Sequence, residues 1–323
     1  MEDKMSNNVF RILSLDGGGA RGLFIASTLR KIEEKYEIKF HEYFDLIVGT
    51  STGSIIASAL ALGVNIKIIE KMYIEEMEKI FKKDILKNGI IQSKYDNKYL
   101  RELLETAFKN KTFENAETEL MITTTNIVNG EAVILTNRNC YDIKLIDAIL
   151  SSCAAPIFFD PLKIDEERIF ADGGLWANNP SLTAISEVLS DTEHKKELKD
   201  IKILSIGTGE ERMINKFDAK QWGWGIANWA NPLIKIIFQL GSKSVHNVVN
   251  KLLSEENYIR LDYETNSILE IDVADKDTDE KAKNTIEENK EKLGKFFSDK
   301  ERNKEIVKKQ NFFHKIFKKK KKK

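Results

Sequence analysis

The chain has 323 residues, 41% of them hydrophobic, enough for one large α/β core or at most two domains. Its 51 basic and 51 acidic residues cancel, so the net charge singles out no polyanionic partner and no nucleic acid is expected. Cys140 and Cys153 are too few for a disulfide framework and fit no paired metal-ligand spacing. Met1 to Asn8 lacks the apolar core of a secretory signal, and Ile55 to Val64 is far shorter than the roughly 20 residues that span a bilayer. A cytoplasmic protein touching membranes only peripherally is expected.

Val9 to Leu15 reads as a buried strand that stops at the glycine turn Asp16-Gly17-Gly18-Gly19. Apolar residues at helical spacing from Leu23 to Tyr36 predict a helix. Phe44 to Val48 is a second short strand, and Gly49-Thr50-Ser51-Thr52-Gly53 leads from it into the apolar helix Ile55 to Leu62, closed by Gly63. Helices are predicted over 67–81, 99–108, 143–152 and 181–189, and strands over 120–127, 132–136, 168–171 and 201–206. This alternation predicts a three-layer α/β/α fold on a mainly parallel sheet. Gln221 to Leu253 is aromatic and helical, suited to a lid or a packed subdomain. Charges dominate after about Asp275, so a domain over 1–275 and a lysine-rich tail over 276–323 are expected.

Gly17, Gly19 and Gly22 match the dinucleotide fingerprint G-x-G-x-x-G between a strand and a helix. Backbone N–H groups turned inward by glycines hold any developing negative charge, a pyrophosphate or a tetrahedral oxyanion. The next strand favours the oxyanion. A dinucleotide fold wants an acidic residue at its end, whereas here Gly49 and Gly53 flank Ser51 as G-x-S-x-G, the sharp turn that presents a nucleophile.

Such a serine needs a proton acceptor. His41, His194 and His314 lie before a strand, in a charged loop and in the basic tail, and His246 sits on a helix. Asp172, at the end of a short strand and followed by Gly173 and Gly174, can be held at the same sheet edge, although Asp-Gly-Gly is also an ordinary turn. An aspartate works as a base when the oxyanion turn stabilises the charge formed as the proton leaves.

Three ordered segments, Ile12 to Gly22, Phe44 to Gly53 and Asp172 to Gly174, resemble the patatin-like phospholipases, with weaker likeness at 151–159, 178–180 and 205–209. The resemblance implies a patatin-like hydrolase of phospholipid or other lipid acyl esters, using a Ser–Asp dyad with no cofactor or metal. Ser51 would be the nucleophile, Asp172 the base, and Gly17, Gly18 and Gly19 the oxyanion hole. Arg21 would either brace that turn or attract a phosphate head group. Similar bacterial proteins include cyclic-nucleotide-activated phospholipases of anti-phage systems, so a small-molecule activator, a homo-oligomer and a defence role are further expectations. A nucleotide-binding protein and a catalytically idle lipid-binding module are the alternatives. Phe312, Phe313, Ile316 and Phe317 beside Lys318 to Lys323 offer a means of reaching an anionic membrane.

Overall fold

The computed structural model describes residues 9–81, 93–140, 143–212 and 226–298. The strands are β1 (Phe10–Leu15), β2 (Leu46–Thr50), β3 (Glu119–Asn126), β4 (Glu131–Thr136), β5 (Leu162–Lys163), β6 (Ile169–Asp172), β7 (Ile201–Ile206), β8 (Glu210–Glu211), β9 (Tyr258–Leu261) and β10 (Glu264–Thr265). The main sheet runs β5-β6-β3-β2-β1-β7-β9, with β4 also paired to β3 and a small β8–β10 pair apart. The central strands β3, β2, β1, β7 and β9 are parallel; β4, β5 and β6 make the antiparallel pairs.

Parallel strands covered on both faces read as unbroken apolar runs. In β1, Leu13 and Leu15 enter one core cluster while Phe10 and Ile12 enter another on the opposite face. The larger cluster is covered by α1 (Gly22–Tyr36), the short α2 (Phe40–Tyr43), α3 (Thr52–Ala61), α4 (Ile66–Ile80), α5 (Lys98–Phe108) and α6 (Leu145–Ser152). Every residue of α3 is buried, which explains its run of Ala, Ile and Ser without a charged face. The four-residue α7 (Gly174–Ala177) and α8 (Ser181–Ser190) follow β6, and α9 (Ile226–Leu252) crosses over them. No helix among the described residues is long and apolar enough to cross a membrane.

The expected boundary near 275 gives way to a longer folded unit. Beyond it, α10 (Thr278–Glu288) and α11 (Lys290–Phe296) pack into the core through Ala282, Ile286, Leu293, Phe296 and Phe297. Tyr43 donates its hydroxyl to Phe296 O at 2.6 Å. High charge hid this, because only one stripe of each helix is apolar and a window average dilutes it. The expected tail anchors from Phe312 onward, and Trp222 and Trp224, lie outside the described residues.

Candidate active site

Ser51 follows directly on β2 and precedes α3, with φ 53° and ψ −124°, a backbone conformation that a residue with a side chain adopts only under constraint. Its own N–H donates to Ser152 Oγ at 2.8 Å, and its carbonyl accepts from Ser54 N at 2.8 Å and Ser54 Oγ at 2.6 Å. At Gly53 a Cβ would collide with the Leu15 carbonyl, so only glycine lets the elbow press against the end of β1.

Sheet register brings Asp172 to this elbow. Opposite β3, Thr50 pairs with Thr123 and Asp172 with Thr124, so β2 and β6 occupy successive positions. Because β4 fills one edge of β3 from Met121 to Asn126, β2 and β6 share the other. Running antiparallel, they meet end to end, Ser51 leaving one and Asp172 closing the other. The last turn of α6 and the loop after it tie both down: Ser152 holds the Ser51 N–H, and Ala154 O accepts from Asp172 N at 2.9 Å. The likeness at 151–159 thus has a structural function that sequence reasoning left unassigned.

The Asp172 carboxyl is fully buried. Its Oδ1 accepts the Gly174 N–H at 2.7 Å, while Oδ2 has no hydrogen-bond partner. Burial raises its pKa strongly, the neighbouring Ser51 hydroxyl and then the Gly174 N–H pull it back, and it stands at about 7. Cys153 lies in the same environment, where burial, and next the Asp172 charge, push its thiol up.

The glycine turn completes the cluster. A side chain at Gly17 would come within 3.2 Å of Ser51 Cβ, so the two turns touch. The Gly17 N–H is already donated to Asn178 O at 3.0 Å and the Ala20 N–H to Ile271 O at 2.8 Å. Those of Gly18 and Gly19 have no partner among the described residues, and Gly19 sits at φ 60°, facing Ile271 O where a Cβ would clash. Of the three glycines, Gly18 and Gly19 thus keep an N–H that no described residue accepts. Arg21 Nη1 donates to Thr208 O and Gly209 O, both at 3.1 Å, contacts that tie it to the chain after β7. Burial lowers its pKa, with Tyr263, Asp262, Glu211 and Glu270 acting the other way.

Sequence reasoning missed what holds the turn from below. Arg260, on β9, donates from Nη1 to Asp16 Oδ1 at 2.8 Å and Ser205 Oγ at 2.8 Å, and from Nη2 to Asp16 Oδ2 and Asp262 Oδ2, each at 2.7 Å. Ser242 of α9 donates to Asp16 Oδ2 at 2.9 Å and accepts from Asn178 Nδ2 at 2.9 Å. Burial raises Asp16 to about 6, with the Arg260 charge opposing. The available signal was Tyr258-Ile-Arg-Leu-Asp, where charges alternate with apolar residues in a segment too short to be read as a core strand.

The histidines are engaged elsewhere: His246 Nδ1 with Tyr258 OH at 3.1 Å, His194 with Glu119 at 3.1 Å, and His41 with Glu117 at 3.4 Å. His314 lies outside the described residues.

A family model described as patatin-like phospholipase matches residues 13–185, a span that takes in the glycine turn, Ser51 and Asp172. The chain belongs to the patatin-like phospholipase family. It is 33% identical to a cGAMP-activated phospholipase of Escherichia coli (strain TW11681), over 78% of this chain and 79% of that one. It is 31% identical to patatin-like protein 2 of Arabidopsis thaliana, over 80% and 76% of the two chains. The crystal structure of VipD from Legionella pneumophila aligns with a TM-score of 0.48 at 14% identity, covering 88% of this chain and 67% of VipD. Patatin-like phospholipases are lipid acyl hydrolases, so the sheet described above is a patatin fold and the protein is a carboxylic ester hydrolase.

Proposed function

We propose that this protein is a phospholipase A that cleaves fatty-acyl esters of membrane phospholipids through a Ser51–Asp172 dyad. The observation that carries the reading is the buried Asp172 Oδ2, unpartnered at the end of β6 beside the strained Ser51 elbow. Ser51 Oγ attacks the acyl carbonyl as its proton passes to Asp172, and the N–H groups of Gly18 and Gly19 receive the oxyanion. Collapse expels the lysolipid alkoxide, which takes the proton from Asp172. Water then attacks the acyl-serine, gives its proton to Asp172, and Ser51 recovers that proton as the fatty acid leaves.

A base with a pKa of about 7 must be ionised to act, so kcat/KM for a soluble ester is expected to rise with pH and level off above about 7. A flat profile between about pH 5 and 8 counts against Asp172 as the base.

Relatives named as cGAMP-activated and cUMP-AMP-activated phospholipases support gating of this chain by a cyclic nucleotide. Restraint of that kind suits an anti-phage effector, because unrestrained phospholipid hydrolysis damages the cell that makes it. A fluorophosphonate probe tests both levels. Labelling of the wild-type protein, its loss in Ser51→Ala and a rise on adding cGAMP or cUMP-AMP are expected. Labelling that survives Ser51→Ala overturns the nucleophile, and labelling indifferent to either nucleotide overturns gating by them.

A further inference from the structure

The inner face of α9 closes over the candidate site: Phe238 sits against Gly174, and Ser242 bonds both Asp16 and Asn178. Its outer face carries Leu233, Ile236 and Leu240, spaced i, i+3 and i+7, so they form one ridge along two turns, while Ile237 at its edge packs against the core. Leu233 and Leu240 are 44% and 60% exposed, and Ile236 is half-buried between them. An apolar ridge on the outside of a helix, with exposed leucines that no described residue covers, gives up burial that a polar ridge would not need.

Charge says what covers it. The protein as a whole is neutral, yet Ile226 to Leu253 contains no Asp or Glu and three lysines, Lys235, Lys243 and Lys251. Lys235 is paired with Glu270 at 2.9 Å, but Lys243 stands 3.7 Å from Glu210 and more than half exposed, and Lys251 is exposed. A second copy of the same helix would oppose lysine with lysine across a twofold axis, whereas anionic lipid head groups would complement them.

We propose that the outer face of α9 is a docking surface for anionic phospholipid bilayers, with Leu233 and Leu240 entering the acyl boundary and Lys243 and Lys251 at the head groups. The inference rests on the phospholipase reading for its lipid partner, and it puts the bilayer one helix thickness from Ser51. It assigns membrane contact to the folded domain, independently of the lysine-rich segment after residue 299.

Co-sedimentation of the full chain with phosphatidylcholine vesicles, with and without phosphatidylglycerol, tests this. Leu233→Gln with Leu240→Gln is expected to lower partitioning at least about tenfold, because both side chains lose the burial in lipid that holds the helix at the surface. Hydrolysis of a soluble p-nitrophenyl ester by the same variant stays at the wild-type level, which also reports that it is folded. Lys243→Glu with Lys251→Glu removes the preference for phosphatidylglycerol. Unchanged partitioning of the leucine variant overturns the proposal, as does loss of binding only when residues 299–323 are deleted, or a dimer in solution that the leucine changes dissolve. A wild-type protein that binds vesicles through these residues but hydrolyses no ester even with cGAMP or cUMP-AMP present would sink the catalytic reading and leave the docking surface standing.

Discussion

Asp172→Asn is expected to give a folded protein that hydrolyses a soluble ester about a hundredfold to ten-thousandfold more slowly and melts at a higher temperature than wild type at alkaline pH. The two effects have one cause. Burial holds the folded-state pKa of Asp172 near 7, above the 3.8 of an exposed aspartate. A raised carboxyl pKa contributes stability below the unfolded value and loses it as pH rises through the folded one. Above about pH 7 the wild-type protein therefore carries a buried charge at a cost on the order of a few kcal/mol. Asparagine carries none, although its amide NH2 would take the place of the unpartnered Oδ2 and give back about 1–3 kcal/mol. The difference in melting temperature between variant and wild type should thus grow from about pH 5 to about pH 8. A constant difference would mean that Asp172 does not titrate in this range. His246→Ala, by contrast, removes a ring bonded to Tyr258 and should leave the chemistry intact.

The second large effect is expected at Arg260. Arg260→Met leaves the Asp16 carboxylate buried at 1% exposure with Ser242 as its remaining side-chain donor, a loss of about 3–5 kcal/mol. Arg260→Lys should rescue little of it, because a single ammonium cannot serve Asp16 Oδ1, Asp16 Oδ2, Ser205 and Asp262 together. The sign of the pH dependence identifies the mechanism. Asp16 already stands at about 6, and without the guanidinium it rises further, so near pH 5 it becomes protonated and the destabilisation shrinks. Thermal melts of Arg260→Met at about pH 5 and pH 8 check this, and equal losses would show that packing rather than charge is at stake.

The strands β1 to β4, β6 and β7 were legible because each is a short run ended by glycines or polar residues, and the longer helices between them have apolar stripes, whereas the two-residue β5 and the four-residue α2 and α7 are too short to leave a pattern. Ser51 and Asp172 were legible through their flanking glycines. Their meeting at one sheet edge was expected, but not how it comes about, since that depends on β4 taking one edge of β3 and leaving β2 and β6 to meet on the other. Nor was Arg260, whose strand covers four residues and whose partner lies 244 positions earlier. The helices Thr278–Glu288 and Lys290–Phe296 were read as tail because local charge outweighs the few apolar residues that face the core.

One consequence follows from β1 lying between β2 and β7 in the sheet. The glycine turn leaves β1 at the start of the chain, yet Thr208, Ser242, Arg260 and Ile271, on which it leans, are all translated much later. A nascent polypeptide emerging from the ribosome therefore exposes Ser51 before the turn beside it has its supports. That turn has its full set of supports only once the last third of the chain has been synthesised and docked.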